Sequence, residues 1–347
     1  KTCAGFLAMD EGMAEGLASQ PQLKVWQTWT GRHTFFCDGR FMVGPDYGVS
    51  MFAGGLTTGL SVAFWVLVCP RLPGAVYCTV VGVALYLLAI SLLVITATSD
   101  PGILPRSPSV DDAESNANLN TTRIVEVNGV TIPLKWCATC RIWRPPRASH
   151  CAECNVCIDR FDHHCPWMGQ CIGRRNYRWF FGFVVSVCVL CLYTAALSAV
   201  AFARALSHVP TAIRLPTDRL GQAVEELPAA GVTMLAPGLI LLCVMPLLCY
   251  HCSLTCRNTT TSEDVKGTFS ESANPFDASC AKNCDEALCA ARLPSRLHLR
   301  SHASEELGGP MILRSGGGSE REAEMRPPDE VALPLRTAAA GDPGKGV

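Results

Sequence analysis

Charge is scarce in this chain of 347 residues: 17% of it is Asp, Glu, Lys or Arg against 49% hydrophobic, and the net charge is −1. A nucleic-acid-binding domain is usually strongly basic, so this balance argues against that class. Charge is also missing in long stretches. No Asp, Glu, Lys or Arg occurs in residues 47–69, 76–99, 179–203 or 231–252. About 20 apolar residues suffice to cross a bilayer as a helix, so the four runs predict four transmembrane helices, the first two joined by a tight loop over 70–75. Charged residues inside spans mark ion and proton paths, and their absence here argues against a channel or transporter. No signal peptide is expected either: the first apolar run, residues 4–9, is short and is followed by Asp10 and Glu11. The chain begins at Lys1 and not at Met, as a fragment or processed piece would.

Cysteine, by contrast, is abundant, with 20 in all. The densest stretch, residues 137–171, reads CATCRIWRPPRASHCAECNVCIDRFDHHCPWMGQC and holds seven cysteines and three histidines. In a small secreted protein such a count would suggest disulfides. Here the chain is long and the C-x2-C steps have metal spacing, which implies a reducing compartment, the cytosol. Closed tetrahedral zinc takes four Cys or His ligands. Two such sites use eight of the ten groups and leave two over. A spare thiol near a spare imidazole is what an activated cysteine nucleophile needs.

Asp162-His163-His164-Cys165 within the frame C-x2-C-x9-H-C-x2-C-x2-C-x4-DHHC-x5-C resembles the DHHC protein S-acyltransferases, or palmitoyltransferases. The resemblance covers roughly residues 30–290. It implies one zinc on Cys137, Cys140, His150 and Cys157, and another on Cys151, Cys154, His164 and Cys171. Cys165 and His163 are then the spare pair. Cys165 would be the nucleophile, His163 its base, and Asp162 the group that orients the imidazole, the logic of a Ser-His-Asp triad with sulfur for oxygen. Both zincs would be structural. The implied reaction moves a long acyl chain from acyl-CoA to Cys165 and then to cysteines of membrane-associated proteins. The competing reading is a membrane-anchored zinc scaffold that transfers nothing. Trp167 would pack on the first methylenes of the chain or serve as an interfacial anchor.

Shorter motifs flank this frame. Asp100-Pro101-Gly102 matches the family's DPG, and is equally a turn that stops a helix. Thr260-Thr261-Ser262-Glu263 matches its TTxE, which implies that Thr261 hydrogen-bonds Asp162; the same residues spell a helix capping box. Asn274-Pro275-Phe276 with Asn283 resembles the C-terminal motif, with Ser279 where glycine is expected. Residues 30–46 look like the segment preceding the first span in the subfamily that resembles the Ras palmitoyltransferases, or like a juxtamembrane loop. Asn128-Gly129 predicts a hairpin turn inside 124–134. Residues 135–178 carry eight Lys/Arg against three Asp/Glu, a basic face for anionic lipid, for donor phosphates, or for solvent alone.

The expected fold is therefore an α-helical membrane protein with a cytosolic cysteine-rich zinc domain between its second and third spans. The divisions are a cytosolic segment 1–46, the hairpin 47–99, the zinc domain 100–178, the spans and loop of 179–252, a motif region 253–289 and a disordered tail 290–347. Within 231–252, Pro237 and Pro246 are expected to kink or unwind the helix. Cys188, Cys191, Cys243, Cys249, Cys252 and Cys256 read as packing residues. Near the span ends, Arg32, Arg40, Arg106, Arg160, Arg174, Arg175, Arg178, Arg257 and Lys266 lie on one side, and Arg71, Arg204, Arg214 and Arg219 on the other. That asymmetry puts both termini and the zinc domain in the cytosol. Asn120 and Asn258, both in glycosylation patterns, would then be bare. The resemblance further implies a Golgi or ER membrane, with the plasma membrane as the alternative, and is compatible with an accessory subunit.

Overall fold

The computed structural model describes residues 23–107, 122–209 and 216–303. Asn120, Arg214, the segment before residue 23 and the tail beyond 303 lie outside the described residues. Among the described residues, four helices are long and apolar enough to cross a membrane. The first, α1 (Tyr47–Ala63), widens into a π-turn over Phe64–Val68 and tightens into a 3-10 turn at Cys69–Arg71. The second is α2 (Ala75–Thr98) and the third is α3 (Tyr177–His208). A short helix, α4 (Pro216–Glu226), follows within the stretch expected to be a polar loop, and the fourth long helix is α5 (Pro228–Cys256).

Several polar groups of these helices are satisfied within the bundle, as a bilayer environment favours. Thr57, Thr58, Thr79, Thr96 and Thr98 each donate a hydroxyl to the carbonyl four residues back, at 2.7–2.9 Å. Between helices, Ser198 meets Thr233 at 2.8 Å and Tyr193 donates to the Cys78 carbonyl at 2.8 Å. Apolar side chains such as Met51, Tyr77 and Leu242 point outward, 70–80% exposed, as a lipid-facing surface requires. Pro237 and Pro246 do not interrupt α5, which runs through both. Each costs the ladder one hydrogen bond, and the helix resumes on either side. The local departure from α-geometry lies instead at Phe64–Val68, where Phe64, Val68 and Cys69 pack against Ala201, Leu227 and Ala230.

Between α2 and α3 the chain forms short antiparallel strands. β1 (Thr34–Phe36) pairs with β2 (Phe41–Val43) before the first span. β3 (Ile103–Leu104) joins β7 (Ser149–Cys151) and β8 (Val156–Ile158) in one sheet. β4 (Arg123–Val127), β5 (Val130–Cys137) and β6 (Ile142–Arg144) make a second. The β4–β5 turn is Asn128-Gly129, both at positive φ (49° and 79°), the geometry a two-residue hairpin needs. A last pair is β9 (His163–Cys165) with β10 (Gln170–Ile172). After α5 come two single-turn helices, α6 (Thr261–Val265) and α7 (Cys280–Cys284). The sulfur of Cys256 meets that of Cys280, with Cys284 in the same cluster, so it ties α5 to α7 where a packing role was expected.

Residues 290–303, placed by composition in the disordered tail, are ordered. Trp26 and Val25 donate backbone N–H bonds to the carbonyls of Leu299 and Ser301, and Ala303 returns one to Leu23. Leu297 and Leu299 cover a core of Met42, Ile103, Cys151, Val156 and Ile158. The leucines supply the apolar contact that the surrounding Arg and Ser conceal in a composition count.

Candidate active site and metal centres

Strand alternation organises the site. Successive residues of a strand point to opposite faces, so in β9 His163 and Cys165 share one face and His164 takes the other. The register pairs His164 with Cys171 across β10. His164 thus joins Cys151, Cys154 and Cys171 in one cluster, and Cys137, Cys140, His150 and Cys157 form a second. His150 is likewise the cross-strand partner of Cys157. In the first-named cluster the three sulfurs lie 3.4–3.7 Å from His164 Nδ1; in the other they lie 3.4–3.7 Å from His150 Nδ1. Tetrahedral zinc with ordinary bond lengths would separate sulfur from nitrogen by about 3.6 Å, so both clusters fit a metal ion of that kind. Hydrogen bonds from neighbouring sulfurs, Cys140 and Cys154 foremost, hold Cys137 and Cys151 below the usual thiol range. His164 donates its other ring nitrogen, Nε2, to Asp46 Oδ2 at 2.8 Å, which would fix Nδ1 toward a metal. Asp46 was not singled out in the sequence.

On the other face, His163 Nδ1 donates to Asp162 Oδ2 at 2.6 Å. Burial pushes the Asp162 carboxyl up, but bonds from His163 and Thr261 outweigh it and hold it below the usual range. Burial lowers His163, and its hydrogen bonds with Asp162 and Cys165 more than compensate, raising it to about 9. Cys165 is 8% exposed. It packs with Leu93 of α2 and with Phe180 and Val184 of α3, beside Val244 and Leu248 of α5. The thiol therefore sits where the strand pair meets the apolar end of the helix bundle. Trp167 does not pack there: it lies in the turn after Cys165, 57% exposed, while its neighbour Met168 is buried in that cluster.

The flanking motifs close around this line. Thr261 donates its backbone N–H to Asp162 Oδ1 at 2.9 Å and its hydroxyl to Oδ2 at 2.8 Å. Thr260 caps α6 in a complete capping box with Glu263. Glu263 also receives both arms of Arg147, at 2.8 and 2.7 Å, an anchor 116 residues distant in sequence. Thus the capping reading and the Asp162 reading of this motif hold together. Asp100 Oδ1 accepts the N–H of Gly102 and of Ile103, both at 2.8 Å, while Oδ2 accepts from Arg175 and Ser295. The Pro101 carbonyl accepts from the Arg175 backbone N–H, so the turn also bolts the end of α2 to the segment that leads into α3. Gln170 caps α2: its Nε2 amide group lies 2.7–2.9 Å from the carbonyl oxygens of Thr96, Ala97 and Ser99 and shares its two hydrogens among them.

The C-terminal motif is similarly tied. Asn274 donates to the carbonyls of Arg257 and Asn258, and Asn283 to Cys256 O at 2.7 Å and Asp277 Oδ1 at 2.6 Å. Ser279 adopts φ −178°, extended backbone open to any residue, so the missing glycine costs the turn nothing. Asn258, 1% exposed, accepts from Arg147 and Arg160 and donates to Phe276 O and Glu286.

A line of carboxylate, imidazole and thiol, backed by two metal-binding clusters at the end of a four-helix bundle, defines a membrane-embedded cysteine enzyme of the acyl-transfer kind. A profile of the DHHC palmitoyltransferase family matches residues 130–268. The mouse (Mus musculus) protein "Palmitoyltransferase ZDHHC18" is 32% identical over 332 residues, 89% of this chain and 85% of that one. "Palmitoyltransferase ZDHHC9" of Danio rerio is 35% identical over 305 residues, covering 82% and 76%. "Probable protein S-acyltransferase 6" of Arabidopsis thaliana is 35% identical over 331 residues, covering 89% and 78%. The chain belongs to the DHHC palmitoyltransferase family.

Proposed function

We propose that this protein is a protein S-acyltransferase that moves a long-chain acyl group, palmitoyl in kind, from acyl-CoA to Cys165 and on to cysteines of membrane-associated proteins. The observation that carries the reading is the shared face of His163 and Cys165 on β9, with Asp162 behind His163 and His164 turned away to a metal cluster. A scaffold would give no reason for that division of neighbouring histidines.

His163 takes the Cys165 proton on Nε2 while Asp162 holds Nδ1–H and stabilises the imidazolium. The Cys165 thiolate attacks the thioester carbonyl, the carbon–sulfur bond to CoA breaks, and the CoA thiolate takes the proton from His163. In the second half a substrate thiol gives its proton to His163 and attacks the Cys165 thioester, and Cys165 leaves as thiolate. Each half exchanges one thioester for another, so no separate energy source is needed. Zinc fits the two Cys3His clusters, where filled coordination leaves it a structural part: it fixes the strands and has no open position for substrate.

The acyl chain has a natural place in the bundle. Each buried methylene is worth about 0.8 kcal/mol, and Cys165 already packs among Leu93, Phe180 and Val184. For the CoA head, a cavity of about 460 Å³ adjoins Asp162 and Thr260 and is lined by Arg160, Arg174, Arg178 and Arg292. Arg160 and Arg292 are held below the usual guanidinium range, by burial first and then by neighbouring arginines. An anion there would relieve that crowding, which suits phosphates. The Lys/Arg asymmetry supports a cytosolic site.

The test is to incubate the purified full chain with labelled acyl-CoA. Wild type should carry a hydroxylamine-sensitive label and Cys165→Ser none. Label retained on Cys165→Ser would reject the nucleophile.

A further inference from the structure

The site contains a second histidine that the reaction above does not use. His251 lies near the end of α5 and is 1% exposed. One ring nitrogen of His251, one of His163 and a carboxylate oxygen of Asp162 all lie within 4.8 Å of one another. The rings of His163 and Phe180 meet edge to face at 5.2 Å, those of Phe180 and His251 at 5.0 Å, and His251 faces His163 at 5.9 Å. His163 is thus walled on the bundle side by an aromatic ring and a second imidazole. His251 is itself fixed: its Nδ1 lies 3.2 Å from the Tyr177 hydroxyl, which lies 3.0 Å from Thr255 Oγ1.

We propose that His251 is a positioning residue for acyl transfer: held by Tyr177, it keeps the His163 ring seated on Asp162 and aimed at Cys165 through the proton-carrying state. The inference rests on the nucleophile and base assigned above. Three features argue for more than packing. A wholly buried polar ring is costly unless its polar atoms are used. An apolar residue would fill the same volume beside Phe180 at no such cost. And the hydroxyl that fixes His251 comes from α3, the helix that also supplies Phe180, so both walls of His163 are set by one helix. The geometry places no proton transfer on His251. It acts through His163, whose ring would otherwise be held on this side by Asp162 and the Phe180 ring only; loss of alignment of a reacting group by about 1 Å can cost on the order of 10²-fold in rate.

The experiment uses the full-length protein in detergent or nanodiscs with fluorescent acyl-CoA, comparing wild type, His251→Phe, His251→Asn, Tyr177→Phe and the double variant His251→Phe/Tyr177→Phe, with Cys165→Ser as control. Metal content and melting temperature are measured alongside. His251→Phe keeps the ring and loses the nitrogens. It should slow self-acylation by about 10–100-fold, with KM for acyl-CoA within about twofold and metal content unchanged. His251→Asn sets a polar atom near the position of Nδ1 and should recover part of the rate. Tyr177→Phe should lower the rate in the same direction, and the double variant should be no slower than His251→Phe alone, because the two act as one unit. Wild-type kcat in His251→Phe, or fully additive losses in the double variant, would overturn the proposal. If His251→Phe loses metal and so does not fold, Tyr177→Phe decides: a wild-type kcat there overturns it and a lowered kcat at unchanged KM supports it. Label on Cys165→Ser would mean instead that the nucleophile reading has failed.

Discussion

Thr261→Val removes one hydroxyl and almost nothing else, which makes it a sharp probe of the proposed triad. Asp162 is 3% exposed, and its carboxylate accepts three bonds: His163 Nδ1 at 2.6 Å, Thr261 N at 2.9 Å and Thr261 Oγ1 at 2.8 Å. Valine keeps the shape and the backbone donor and deletes the third. A hydrogen bond to a buried charged group is worth about 1.5–3 kcal/mol. Part of that is already present in the resting enzyme and will appear as lost stability. The remainder appears in the rate only as far as Asp162 holds His163 more firmly when the imidazole is charged. A loss of about 1.4 kcal/mol in the transition state is tenfold, so self-acylation should slow by about 10-fold, measured by rapid quench with labelled acyl-CoA. Thr261→Ser, which keeps the hydroxyl, should recover most of the rate. If Thr261→Val melts earlier but acylates Cys165 at the wild-type rate, the motif is a strut only, and the claim that it tunes the triad fails.

Three further outcomes are expected. His163→Ala should keep both metals and slow self-acylation by about 10²–10⁴-fold, whereas His164→Ala should lose a metal; metal analysis with quench kinetics checks this, and equal metal loss in both would reject the split of β9. A strong chelator should unfold the strand domain, because binding energy at such sites is folding energy, about 10–16 kcal/mol for a structural zinc. The tilted pair Trp136 and Trp143, with ring centroids 5.4 Å apart beside Cys137, should report it as a fluorescence change; an unchanged signal with the metals gone would contradict it. Asn258→Ala should destabilise the protein by about 3 kcal/mol, since Arg147 and Arg160 each lose a buried acceptor. Thermal melting checks this, and a glycan found on Asn258 in folded protein would be incompatible with its burial.

Much of this site is legible in the sequence because metal spacing is local. The C-x2-C steps and the DHHC run fall within 35 residues of chain, and a hairpin turn such as Asn128-Gly129 is read from two residues. The apolar runs announce the long helices for the same reason. What escapes reading is the set of single polar residues that reach the site from afar. Asp46 meets His164 across 118 positions, Arg147 meets Glu263 across 116, and Gln170 caps α2 across more than 70. A lone Asp or Arg carries no periodic signal, so only the fold reveals its partner. His251 was hidden differently: within an apolar run it reads as one more spanning residue. Trp167 lies exposed in the turn Pro166–Met168, while its neighbour Met168, which carries no motif signal, is the residue buried beside Cys165.

The same arithmetic explains why this chemistry needs metal clusters that cannot take part in it. Strands of three residues are too short to hold a pair together unaided, yet β9 must keep His163 and Cys165 on one face to within a fraction of an ångström. Turning His164 into the cluster gives the middle residue of that strand a fixed point, and Asp46 fixes the ring in turn. The outer residues are then held from outside the strand: Asp162 by Thr261 after the last span, and Cys165 by Leu93 and Phe180 of the second and third. A change of register by one residue in β9 would exchange the two faces, sending His163 and Cys165 together to the metal cluster and leaving His164 with no thiol beside it. The order Asp-His-His-Cys is therefore a statement about strand geometry as much as about chemistry: the proposed base, ligand and nucleophile must alternate, and the carboxylate must come just before the alternation begins.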